Sequence, residues 1–212
     1  MEPIENYAII GDCRAAALVS KSGSIDWMCW PRFDAPPLFG ALLDPSAGCW
    51  RIAPERPYRV DRRYTPGTNV LETRFVTESG SCVVTDLMPV MSEVDKAKQL
   101  VPEHEVLRIV ECDGGEIQIG MHFEPRSGYA LRRLQPKRAG AQGFRFEVPQ
   151  GLLLLRSELP LELGPDGVLR AELRLRAGDT RCSSLTLAES WPAVIPPLGA
   201  HSRETAARSV TW

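Results

Sequence analysis

No apolar run in this sequence approaches the roughly 20 residues that cross a bilayer as a helix. Nor does the chain open like a secretory precursor. Its start, Met1-Glu2-Pro3-Ile4-Glu5, has neither a basic region nor an apolar core. These two absences predict a cytoplasmic protein with no membrane partner. Charge of one sign is also lacking: 25 basic and 27 acidic residues leave a formal net charge of -2. Arginine is frequent, but between Arg170 and Arg176 it alternates with glutamate, which describes a solvated face rather than a phosphate track. Nucleic acid is therefore not an expected partner.

Metal-binding spacing is missing too. The six cysteines, at 13, 29, 49, 82, 112 and 182, form no Cys-x-x-Cys pair, and most sit inside apolar strand patterns. Buried free thiols are expected, rather than a disulfide framework or a zinc site. The three histidines, at 104, 122 and 201, are far apart and lack ligand spacing. No metal and no cofactor is predicted.

What is present is strand punctuation. Asn69 to Thr77 sets Val70, Glu72, Arg74 and Val76 against Leu71, Thr73, Phe75 and Thr77. Val168 to Arg176 alternates in the same way, one face being charged. Tyr7 to Ile10, Ala15 to Ser20, Ser24 to Cys29, Gly48 to Ala53, Tyr58 to Tyr64, Cys82 to Val90, Phe144 to Val148, Gly151 to Arg156 and Ser183 to Ala188 add further strands. Val106 to Glu111 and Glu116 to Phe123 flank Asp113-Gly114-Gly115, which has the composition of a tight hairpin turn. Leu38 to Leu43 reads as one helical turn, Ser92 to Pro102 as an exposed loop, and Arg126 to Gly143 as a loop with one weak strand. About a dozen short strands with glycine-rich turns and almost no helix predict an all-β fold, a two-layer antiparallel β-sandwich spanning residues 1–190. Residues 191–212 differ. Trp191 is followed by Pro192, Pro196 and Pro197, a stiff linker, and then by a helix of about eleven residues with Ser202 as its cap and Glu204 in its first turn. That short helical segment reads as the start of a longer element.

The densest chemistry lies between Gly11 and Asp44. A hairpin there ends in Trp30-Pro31-Arg32-Phe33-Asp34. Two readings of this loop stand side by side. Tryptophan covers the C–H face of a sugar, while arginine and aspartate make paired hydrogen bonds to its hydroxyls. Alternatively, Phe33 and the upstream Trp27 are core, and Arg32 and Asp34 pair with each other or meet a neighbouring domain. Pro31 holds Trp30 extended, so Trp30 and Asp34 are expected to be more exposed than Trp27. Asp12, Asp26 and Asp34 are the only acidic residues in an unusual context; one of them could act as acid or base, but turn capping or pairing with Arg14 or Arg32 is the reading favoured.

The same stretch resembles the opening of the glucoamylase-like proteins of glycoside hydrolase family 15, which also include trehalases and glucodextranases. Tyr7, Ala8, Ile10, Gly11 and Asp12 match the first part of that pattern. Gly23, Ser24, Ile25, Asp26, Trp27, Cys29, Pro31, Arg32, Phe33, Asp34 and Pro36 match the second. Asn6, Met28 and Ala35 depart from it. Glu105 to Glu111 and Phe123-Glu124-Pro125-Arg126 are similar as well. The resemblance implies a large "super" β-sandwich, the non-catalytic amino-terminal domain of a hydrolase of α-glucosidic bonds. It implies that the catalytic carboxylates belong to a following (α/α) barrel, absent here, which this domain supports. It places Trp30, Arg32, Phe33 and Asp34 against that barrel or at the edge of its pocket for an α-glucan or trehalose. The alternative is a free-standing carbohydrate-binding or structural module.

Overall fold

A computed structural model of the chain describes residues 2–91, 101–128, 132–140, 143–189, 193–195 and 197–210. Residues 92–100 of the expected exposed loop, and Trp191, Pro192, Pro196 and Trp212 of the expected linker and terminus, lie outside the described residues. After a 3-10 turn (Ile4–Asn6) come β1 (Tyr7–Gly11), β2 (Ala16–Ser20), β3 (Ser24–Cys29), β4 (Pro37–Phe39) and β5 (Cys49–Pro54). Next are β6 (Arg59–Tyr64), β7 (Leu71–Val76), β8 (Gly80–Leu87) and β9 (His104–Glu124). Three two-residue strands follow, β10 (Arg126–Ser127), β11 (Arg132–Arg133) and β12 (Lys137–Arg138). The described chain ends with β13 (Phe144–Val148), β14 (Gly151–Ser157), β15 (Glu162–Leu163), β16 (Leu169–Arg176), β17 (Thr180–Ala188) and helix α1 (Ala200–Val210).

All pairings are antiparallel, and apart from the small separate β10–β11 pair the strands build two layers joined by one shared strand. The first layer runs β1-β2-β3-β5-β9-β16-β15, with β4 alongside the end of β3. The second runs β6-β7-β8-β9-β17-β14-β13-β12. Strand β9 serves both. Its residues 104–115 lie between β17 and β8, and its residues 116–124 lie between β5 and β16. The expected hairpin at Asp113-Gly114-Gly115 is therefore not there, because the chain continues as one 21-residue strand. Gly115 has φ 65° and lies against the backbone of Ser79 and Gly80, leaving no room for a Cβ. The glycine pair thus serves a close approach of two strands, not a reversal of direction.

Aromatic side chains fill the space between the layers. Phe123 touches Phe39 and Trp50 edge-on, at 5.7 and 5.5 Å between ring centres, and meets Phe146 of the opposite layer at 5.5 Å. All four rings are buried. Each contributes about 1.5–3 kcal/mol through burial. On β7 the face of Leu71, Thr73 and Phe75 is the buried one, and Trp50 and Ile52 of β5 are buried as well.

Residues 106–110 of β9 are buried on both faces. The reason is α1, which lies over the outer face of the second layer. Leu198 and Ala206 cover Val70, Leu87, Leu107, Ile109 and Cys182 there. Residues read as the start of a longer element are thus packed on the chain's own sheet. The expected cap Ser202 is instead buried inside the first turn. Gly199, at φ 79°, turns the chain, and its carbonyl accepts the bond from Arg203 N that opens the helix. Likewise the helical turn expected at Leu38 is the short strand β4, paired to Met28 and Cys29. Of the six free cysteines, Cys29, Cys82, Cys112 and Cys182 are buried, Cys49 is half-buried and Cys13 is exposed.

Glu105 shares the outer face with these residues. Burial pushes its carboxyl above the ordinary glutamate range, partly offset by the hydroxyl of Ser184, which donates to it at 2.5 Å, and by the charge of Arg156. A carboxyl raised by folding contributes its full stability below its unfolded pKa and loses it as pH rises through the folded value. Glu105→Gln is therefore expected to gain stability over the parent as pH climbs from the ordinary glutamate range towards neutrality. Urea midpoints of the two proteins across that range test this, and a difference independent of pH would refute it.

Candidate functional site

Strand β3 delivers the loop. A β-bulge sits where Leu18 pairs with Trp27 and Val19 with Ile25. It inverts the alternation, so that Ile25 and Met28 both point inward and Trp27 is only half-buried. Trp30, just past the strand, takes the inward place and is 3% exposed. The expected order of exposure is thus reversed for the tryptophans. Asp34 is exposed as expected. Phe33 is 60% exposed and is not core.

Arg32 and Asp34 form a fork. Arg32 Nε donates to Asp34 Oδ1 at 3.0 Å and its Nη2 to Oδ2 at 2.6 Å. The guanidinium holds the Asp34 carboxyl below its usual range, and the carboxylate raises Arg32 in turn, with Glu189 adding to that effect. The other aspartates serve turns and strands. Asp12 Oδ1 accepts from the backbone of Arg14 and Ala15. Asp26 accepts from Tyr7 Oη at 2.9 Å and Ser24 Oγ at 2.5 Å.

The loop forms one wall of a cleft of about 580 Å³. Arg14, Pro31, Arg32, Phe33 and Asp34 face Glu103, His104 and Glu189 across it. His104 is the first residue of β9 and pairs with Leu187 of β17, which brings Glu189, just beyond that strand, to its side. His104 Nε2 lies 3.0 Å from Glu189 Oε2. Its ring is 6.2 Å from that of Trp30, tilted by 52°. Glu103 and Glu189 are exposed, whereas His104 is buried. One ligand atom from each of Glu103, His104 and Glu189 lies within 4.8 Å of the others. That is closer than the roughly 6.5–9.5 Å between the carboxyls of an inverting glycosidase.

Four of these residues were not anticipated from sequence: Arg14 as a wall of the cleft, and Glu103, His104 and Glu189. His104 and Glu189 are 85 positions apart and meet only through β9–β17 pairing. The one local signal was an ionisable pair, Glu103-His104, at the start of an apolar strand. Chemically the cleft offers an exposed ring, a planar charged fork, and carboxylates beside an imidazole. Such a set accepts a polyhydroxylated ligand or a protein side chain equally well.

No described helix is long and apolar enough to cross a membrane. The chain is 33% identical over 209 residues to a trehalase of Mycolicibacterium smegmatis, covering 89% of this chain and 30% of that protein. It is 32% identical over 215 residues to a trehalase of Mycobacterium tuberculosis, covering 92% and 31%. With trehalase 1 of Sulfolobus acidocaldarius the identity is 34% over 171 residues, covering 79% and 27%. The chain thus spans about 30% of the length of these relatives. Residues 1–161 match the family model described as "Trehalase-like, N-terminal", and with its all-β fold the chain belongs to the trehalase-like amino-terminal domain family.

Proposed function

We propose that this chain is the non-catalytic amino-terminal β-sandwich of a trehalase-type glycosidase of glycoside hydrolase family 15. It supports a following (α/α) barrel and lends that barrel the Trp30–Asp34 loop at the edge of its pocket. The observation that carries this reading is the comparison of lengths, since the chain aligns over 89% of itself with a trehalase of which it spans 30%. The relatives' name favours trehalose as the α-glucoside. The reaction would use water and two carboxylates of the barrel, with no cofactor. Phe33, Arg32 and Asp34 suit the junction because they are exposed together on one turn outside the strand ladders.

The purified chain is expected to show no turnover of trehalose, maltose or maltooligosaccharides, and to do so only when joined to a trehalase catalytic region. Hydrolysis by the chain alone, surviving removal of host enzymes, would end this reading. The exposed ring of Phe33 beside the fork also favours a second reading, a free-standing carbohydrate-binding module. Retention of the chain alone on immobilised α-glucan would select that second reading.

A further inference from the structure

We propose that Glu103, His104 and Glu189 form a binding site for a divalent transition-metal ion of the zinc class. The proposal does not depend on the reading above, since it concerns only residues of this chain. Three donors, one imidazole nitrogen and two carboxylates, converge within 4.8 Å at the wall of an open cleft. Zinc bonds to nitrogen and oxygen at about 2.0–2.2 Å, which sets tetrahedral ligands roughly 3.4 Å apart. His104 Nε2 and Glu189 Oε2, at 3.0 Å, are already close to that spacing. Glu103 is exposed and free to swing the remaining distance. Three protein donors with the fourth position facing a cleft is the arrangement of an open zinc site rather than a closed structural one.

The donors differ in rigidity in a useful way. His104, 5% exposed at its side chain, is fixed by strand pairing and by the Trp30 ring. The carboxylates are exposed, and turning their side chains would close them on the ion. Charge favours a cation as well: Asp34, Glu103 and Glu189 face Arg14 and Arg32, three carboxylates to two guanidiniums, with the Arg32 charge already engaged by Asp34. The imidazole decides the class of metal. Magnesium and calcium take oxygen donors, whereas a buried nitrogen donor selects zinc, nickel, cobalt or copper. The ring also limits affinity. Binding through Nε2 puts the proton on Nδ1, which is buried and has no hydrogen-bond partner among the described residues. Metal-bound histidines usually have such a partner, and its loss weakens binding about 10–100-fold. Micromolar binding is therefore expected, not nanomolar.

Titration of the purified full chain with zinc chloride, followed by calorimetry and equilibrium dialysis, tests this, with magnesium chloride as the contrast. The expected result is about one zinc per chain at micromolar Kd, and no comparable binding of magnesium. Glu103→Gln and Glu189→Gln, at exposed positions, should each weaken zinc binding at least about ten-fold while the melting temperature of the metal-free protein stays put. Cys13→Ser, which removes the one exposed thiol, should leave binding intact. Cobalt should give a visible absorption band without the near-ultraviolet thiolate band. Binding that survives both glutamine variants, that disappears in Cys13→Ser, or that is millimolar or weaker would overturn the proposal.

Discussion

Asp86→Ala is expected to destabilise the chain by about 3–5 kcal/mol, because it leaves a buried guanidinium without its counter-ion. Asp86 of β8 and Arg108 of β9 face each other in register, and both side chains have no exposure at all. Arg108 Nε donates to Asp86 Oδ1 at 2.8 Å and its Nη2 to Oδ2 at 3.2 Å. The rest of the guanidinium crosses to the other layer. It donates to the carbonyl of Gly23 at 2.8 Å, in the β2–β3 turn, and to that of Trp50 at 2.5 Å, while stacking over the Trp50 ring at 5.1 Å. Four of its five N–H groups are thus used, and the group stitches the layers. For a domain of this size the loss amounts to a fall of about 10 °C or more in melting temperature. Asp86→Leu with Arg108→Met replaces the pair by apolar side chains and should recover much of the loss. Calorimetry of the single and double variants decides the matter. A single variant within about 1 kcal/mol of the parent would mean that water reaches the guanidinium.

In a polypeptide that joins this chain to a trehalase catalytic region, Arg32→Ala or Asp34→Ala is expected to lower kcat/KM for trehalose about a hundred-fold. The same substitutions should move the melting temperature of the chain alone by less than about 2 °C. Their side chains are 73% and 69% exposed, so solvent screens the pair and folding gains little from it. The rival view makes the fork structural and predicts the reverse pattern. Unchanged kinetics with a large fall in melting temperature would reject contact between this loop and the sugar pocket.

Period and punctuation revealed most strands, because alternation such as that of Leu169, Ala171 and Leu175 against charged neighbours is a local property. The outline of a two-layer β fold followed from it. Two kinds of feature were not legible. The glycine pair Gly114-Gly115 has the composition of a hairpin turn. Only the approach of Ser79 and Gly80, far away in sequence, makes it the waist of a continuous strand. The site shows the same limit. Its loop was located from the density of aromatic and charged residues, but a single bulge exchanged the environments expected for Trp27 and Trp30. The His104–Glu189 wall depends on pairing across 85 positions, which no local pattern announces.

Strand β9 has a final consequence for how the cleft fluctuates. Because its two halves belong to different layers, the centre of neither layer can open without taking a strand from the other, so the two centres are expected to unfold together. His104 opens that strand, whereas Arg32, Phe33 and Asp34 sit on a turn outside the ladders. Amide protons along β9 should therefore exchange with deuterated solvent only on global unfolding, and those of the Arg32–Asp34 turn through small local excursions. The cleft thus has one wall that keeps time with the whole molecule and another that is free to adjust to whatever it meets.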